Sequence, residues 1–160
     1  MKKKIVYISV VVVIILLVSI FGRGIYFYGK YSVPNAKYFG SQYKEMLHIM
    51  SFQDKKQANE VMKTVGDAFS FIGDADDAES IYGKLSRYCI ISEEAATETH
   101  NLKMITADFD KDNGYIWFVY NHEAFDNNGL MILGSRDVLV RATLNKTGQG
   151  WMIIETKEHS

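Results

Sequence analysis
The chain has 160 residues, with 18 basic and 19 acidic side chains, a net charge of −1, one proline and one cysteine. A single thiol excludes an internal disulfide framework, and the near-neutral total excludes the basic footprint of a nucleic-acid-binding chain. From Pro34 onward 13 basic residues stand against 19 acidic ones, a net −6, so the folded part is suited neither to phosphates nor to anionic headgroups.

Ile5 to Phe21 is an unbroken apolar run with two serines and no charge, preceded by Lys2, Lys3 and Lys4. As a helix it measures about 26 Å, close to the ~30 Å of a hydrocarbon core, and the residues up to Tyr28 supply the rest. The run reads as a single-pass anchor over 5–28, with Ile5, Val12, Leu16 and Phe21 in lipid and Tyr26 and Tyr28 at headgroup depth. The lysines before it place the amino end (1–4) in the cytoplasm and the remaining chain outside the cell membrane. A cleaved leader is the competing reading, with Gly22-x-Gly24 as a poor cleavage site. No cysteine directly follows the run, the one thiol being Cys89 deep in the domain, which excludes a lipoprotein start.

Residues 29–35, containing the only proline at Pro34, read as a short tether, and 36–160 as one extracytoplasmic domain. Helical spacing of Phe39, Tyr43, Met46, Leu47 and Met50 predicts a helix over 36–50, weakened by Gly40. Ser51 and Asp54 make a capping signal for a second helix, whose stripe of Ala58, Val61, Met62, Val65, Ala68, Phe69 and Ile72 must lie on a core. Asp74 caps a short third helix after Gly73. Leu85 to Ser92 then reads as a strand, and 97–109, 115–125, 130–144 and 151–157 as a meander joined by Asp112-Asn113-Gly114, Asn127-Asn128-Gly129 and Lys146-Thr147-Gly148. The segment 115–125 is apolar on both faces and belongs in the middle of the sheet. Gly134-Ser135 signals a bulge, and Lys157 and Glu158 suit an edge or a frayed end.

The candidate chemistry is sparse. His48, His100, His122 and His159 are scattered singly without ligand spacing, so no metal site and no cofactor are expected. His122 and Glu123 alternate faces on a strand and cannot act together. Cys89 sits in an apolar context and reads as a buried hydrophobe. Asp108, Asp110 and Asp112 suggest a calcium loop but lack its terminal glutamate. No phosphate-binding glycine loop is present. An isomerase-type site needs a carboxylate base in an apolar pocket facing a tyrosine, and Asp137 and Glu155 on neighbouring strands are the candidate pair.

Helices first, then a curved meander with Asp137-Val138-Leu139-Val140-Arg141-Ala142-Thr143-Leu144 and a closing Gly150-Trp151-Met152-Ile153-Ile154, is similar to the cystatin-like or nuclear-transport-factor-two-like α+β cone. The resemblance implies an α+β domain with a long helix on the concave side of the sheet. It includes anchored assembly components of bacterial secretion and conjugation machines, and also ketosteroid isomerases. Two functions follow as expectations. The first is a non-enzymatic binding or assembly domain, held to lipid by its anchor and engaging a protein partner in the bacterial cell envelope. The alternative is a small-ligand-binding or isomerase-like pocket. The sequence is silent on oligomeric state.

Overall fold
The computed structural model describes residues 2–159, and their side chains except those of 2–6, 8, 19–21, 23 and 32–36. Two compact units divide the chain, Met1–Ile49 and Met50–Ser160.

The first unit is one α-helix, α1 (Lys2–Phe39), followed by a 3-10 segment, Gly40–Leu47. The helix expected over 36–50 is therefore corrected, because α1 continues through Phe39 and Gly40, at φ +60, ends it. Such a positive φ is open to glycine without the steric cost a side chain would add. The tether expected at 29–35 lies within α1, and the side chains of Pro34 and Asn35 fall outside the described residues. The 3-10 segment folds back along α1, with the rings of Tyr28 and Tyr43 at 5.3 Å. Gly24 sits under the Met46 carbonyl, where a Cβ would lie 3.1 Å from the oxygen. Of the expected anchor residues, Ile5 and Phe21 fall outside the described side chains, Val12, Leu16 and Tyr26 are exposed, and Tyr28 is half-buried. Among the described residues no helix is long and apolar enough to cross a membrane.

The second unit begins with α2 (Phe52–Phe69). Its start is fixed reciprocally: the Asp54 amide donates to Ser51 Oγ at 3.1 Å, and the Ser51 amide donates to the Asp54 carboxylate at 2.8 Å. Ala58, Val61, Val65, Ala68 and Phe69 are buried, the stripe expected of a helix lying on a sheet. A short helix, α3 (Ala75–Tyr82), follows, capped where the Asp77 amide donates to Asp74 Oδ1 at 2.8 Å. The expected strand over 85–92 is instead a 3-10 turn, Gly83–Tyr88, ending in an isolated parallel bridge between Ile72 and Ile90. Leu85 and Tyr88 are buried together at i, i+3 spacing, which suits a 3-10 turn and defeats strand alternation.

Four antiparallel strands complete the unit in the order β1-β2-β3-β4: β1 (Thr97–Asp110), β2 (Asn113–Phe125), β3 (Met131–Thr147) and β4 (Gly150–His159). The first hairpin turns at Lys111-Asp112, two residues earlier than Asn113-Gly114. Gly114 serves instead as a close approach, since a Cβ there would stand 2.9 Å from the Asp108 carbonyl. In the second turn the amides of Asn128 and Leu130 both donate to Asp126 Oδ1, each at 2.8 Å. β2 is central as expected, with Ile116, Phe118 and Tyr120 on the α2 side and Trp117 and Val119 buried on the other. The α2 side also takes Ala107, Val138, Val140, Ala142, Leu144 and Ile153 into one core. β4 is an edge strand whose Met152 and Ile154 are exposed while Ile153 between them is buried.

Replacing Ser51 by alanine removes one half of the reciprocal cap, and is expected to cost about 1 kcal/mol in urea denaturation without changing the slope of the transition.

Candidate functional site
The polar and aromatic groups gather where the end of α2 meets the far ends of β1 and β2. His100 and His122 are directly opposed across these strands, and both face α2. Phe69, the last residue of α2, is wholly buried among their rings: its centroid lies 4.8 Å from His122, 5.9 Å from His100, 4.8 Å from Tyr120 and 4.9 Å from Tyr88. Glu98, two residues before His100 and therefore on the same face, accepts a hydrogen bond from His100 Nδ1 at 3.0 Å. The same carboxylate stands 3.9 Å from His122 Nε2, which is buried and has no hydrogen-bond partner. Burial pulls the His122 pKa below its ordinary 6.5, outweighing the opposing pull of the Glu98 charge.

A second carboxylate closes the cluster from β4. Glu158 pairs with Arg87 and accepts a 3.4 Å hydrogen bond from Tyr120 Oη. The Arg87 guanidinium also lies over the Tyr88 ring, 5.7 Å from its centroid. Burial drives the Tyr120 phenol up to about 12 and Tyr88 higher still. Both are neutral hydrogen-bonding groups at neutral pH, and Tyr88 Oη makes no well-formed bond. Tyrosine and carboxylate thus meet on the inner face, as an isomerase-type site requires, but the carboxylate is held by an arginine. The space beside it is filled by Phe69.

The pair singled out in the sequence is not brought together. Asp137 is exposed at φ 57 in a bulge of β3, its amide donating to Asn121 Oδ1 at 2.6 Å. Glu155 is exposed on β4 opposite Thr143, whose hydroxyl donates to it at 3.4 Å. β4 pairs with β3 only from Leu139 to Thr147, so Asp137 lies beyond its end. The carboxylates the fold does gather are Glu98 and Glu158. The face separation of His122 and Glu123 holds, with His122 buried and Glu123 paired to Arg136 at 2.7 Å.

Open space lies outside the core. A groove of about 1030 Å³ runs between α3, the 3-10 turn and β4, and the exposed side chains of Ile81, Met152 and Ile154 line it. Glu155 borders it, and Asp137 does not. Cys89 is half-buried in apolar surroundings, which push its thiol from 9.0 up to about 11. This agrees with the reading of a hydrophobe rather than a nucleophile.

Two measurements check this electrostatic picture. Because the folded state disfavours protonated His122, the unfolded chain binds the extra proton below pH 6.5. Stability is thus full above that pH and declines as pH falls toward the folded-state value, and His122→Phe should flatten the slope in this window. Cys89 at pH 8 should react with a disulfide reagent about a hundredfold more slowly in the native than in the denatured protein.

No protein-family model and no curated protein matches the sequence. Among solved structures, a candidate aromatic ring hydroxylase from Novosphingobium aromaticivorans is similar over 68% of this chain and 90% of its own, at 9% identity and a TM-score of 0.51. A candidate dehydratase of the NTF2-like family from Streptomyces avermitilis covers 68% of this chain and 97% of its own, at 12% identity and a TM-score of 0.48. The association domain of a C. elegans kinase, CaMKII, covers 69% and 100%, at 12% identity and 0.40. At such identities a likeness speaks to fold alone. With helices preceding a four-stranded antiparallel meander that packs on α2, the chain has the α+β architecture anticipated from its element order.

Proposed function
We propose that the protein is a membrane-anchored, non-enzymatic binding or assembly domain that engages a protein partner in the cell envelope. The observation that carries the binding half is the filled inner face. Phe69, Tyr88, Tyr120 and His122 close it with ring contacts of 4.8–5.7 Å, leaving recognition to the outside surface. The groove beside β4, with Ile81, Met152 and Ile154 exposed along it, is the surface best suited to an apolar partner segment.

Support for the anchor comes from sequence and exposure together. Val10 to Val18 are nine consecutive exposed residues of α1, all of them large and apolar, and they cover every side of the helix. One packed face cannot bury a helix that is apolar all round, whereas lipid can. The three lysines before the run favour a cytoplasmic amino end and an outside domain. The continuous stretch of the run whose side chains are described, residues 9–18, is about 15 Å long, so the proposal takes its span from the sequence of Ile5 to Phe21.

The second reading, a small-ligand or isomerase-like pocket, is favoured by the size of the groove, which is close to the upper end of the range of known ligand sites. Of its candidate pair from the sequence, Glu155 borders the groove and Asp137 is elsewhere.

The test is carbonate extraction of membranes carrying the full chain with a carboxyl-terminal tag, followed by protease treatment of intact cells. Retention in the pellet with the tag cleaved from outside is expected. Release of the chain by carbonate, or a tag protected until lysis, would overturn the anchored reading. Crosslinking in the same cells should join the chain to an envelope protein, with loss of the adduct in Met152→Lys/Ile154→Lys.

A further inference from the structure
We propose that Glu98, His100 and His122 form a binding site for a divalent transition-metal cation of the zinc class. The argument begins with register. Residues i and i+2 of a strand share a face, and a residue directly opposite on the neighbouring strand shares it too. Glu98 and His100 are such a pair on β1, and His122 on β2 is the cross-strand partner of His100. The three side chains thus project to one side as two imidazoles and a carboxylate, a facial set with coordination positions to spare.

Two atoms of this set already face each other, and the third ring must move to join them. His122 Nε2 is buried, without a hydrogen-bond partner, and 3.9 Å from Glu98 Oε2, so a ring nitrogen and a carboxylate oxygen stand opposed with no bond between them. A native structure rarely tolerates such an opposition. The hydrogen bond of His122 to the Phe69 backbone, made by its other ring nitrogen, fixes the ring and leaves Nε2 as the acceptor. Metal-bound histidines are oriented in the same way by an outer partner.

His100 Nδ1 bonds the same Glu98 oxygen at 3.0 Å, so one oxygen atom is the common neighbour of both rings. An ion with bonds of about 2.0–2.2 Å fits between His122 Nε2 and Glu98. Including His100 requires the ring centroids, now 6.5 Å apart, to close by roughly 1 Å, and its Nδ1 proton to pass to Nε2. Glu98 and His100 are each partly exposed, at 15% and 24% of their side chains, which gives the ion its path from solvent. Phe69 on the inner side keeps the site small and dry.

The test uses the full chain in detergent, stripped with chelator and titrated with Zn²⁺ by calorimetry and with Co²⁺ by visible absorption. One ion per chain is expected, with the Co²⁺ bands of a low-coordinate site carrying nitrogen ligands. Glu98→Gln and His122→Gln should each weaken Zn²⁺ binding by about 10²-fold, while His159→Ala leaves it unchanged. Glu98→Gln keeps the shape of the side chain, so it reports on ligation even if His122→Gln does not fold. Absence of Zn²⁺ binding at millimolar concentration, or binding that survives Glu98→Gln, would overturn the proposal.

Discussion

The aromatic ring of Phe69 decides what kind of domain this can be. It stands at the end of α2, fully buried, with two tyrosines and two histidines packed around it. A helix resting on the inner face of a curved sheet either leaves a chamber or fills it. Here the last turn of α2 fills it with the largest side chain of its apolar stripe. Truncating such a residue leaves a cavity that the packed neighbours cannot collapse into, which is why it governs both stability and shape. The polar atoms around it, Tyr88 Oη and His122 Nε2, are then left at the margin of an apolar plug rather than lining a ligand chamber.

The elements that were legible in the sequence are those set by local chemistry. Ser51 with Asp54 and Asp74 with Asp77 announce helix starts because the caps are made within four residues. The double-sided apolarity of 115–125 announced a central strand because burial on both faces leaves no polar alternation. What failed depended on balance with distant structure. Leu85 to Ser92 carries strand-like residues, but Leu85 and Tyr88 must both meet the core, and only a tight turn lets residues three apart do so. Pro34 was read as a stop, although a proline removes one amide donor and does not by itself settle where a long helix ends.

The site was illegible for a sharper reason. The hairpin turn at Lys111-Asp112 by itself places His100 opposite Glu123, on which registry the two histidines would face opposite sides. One extra residue between Met104 and Thr106 shifts the pairing so that His100 meets His122. A single-residue slip exchanges the faces of every side chain beyond it. Nothing in the local residue types announces that bulge, whereas the four histidines look scattered until it is applied. A second bulge, near Asp137, has the contrary effect. It turns a strand carboxylate that seemed aimed at a pocket into an exposed residue at positive φ.

Bulges that create one polar convergence and dissolve another are costly ornaments unless the convergence has a use. Replacing the polar side chains of half-buried Glu98 and His100 and of buried His122 by aliphatic ones would continue the core of β1 and β2 without an orphaned nitrogen. The fold instead spends its only two opposed histidines and a carboxylate at the strand ends, while Arg87 neutralises the second carboxylate, Glu158, on the opposite edge. The two acids are therefore not equivalent. Glu158 has a permanent cation and acts to fasten β4 to the 3-10 turn, whereas Glu98 faces two imidazoles and no lysine or arginine, and retains its capacity to hold a positive charge supplied from solution.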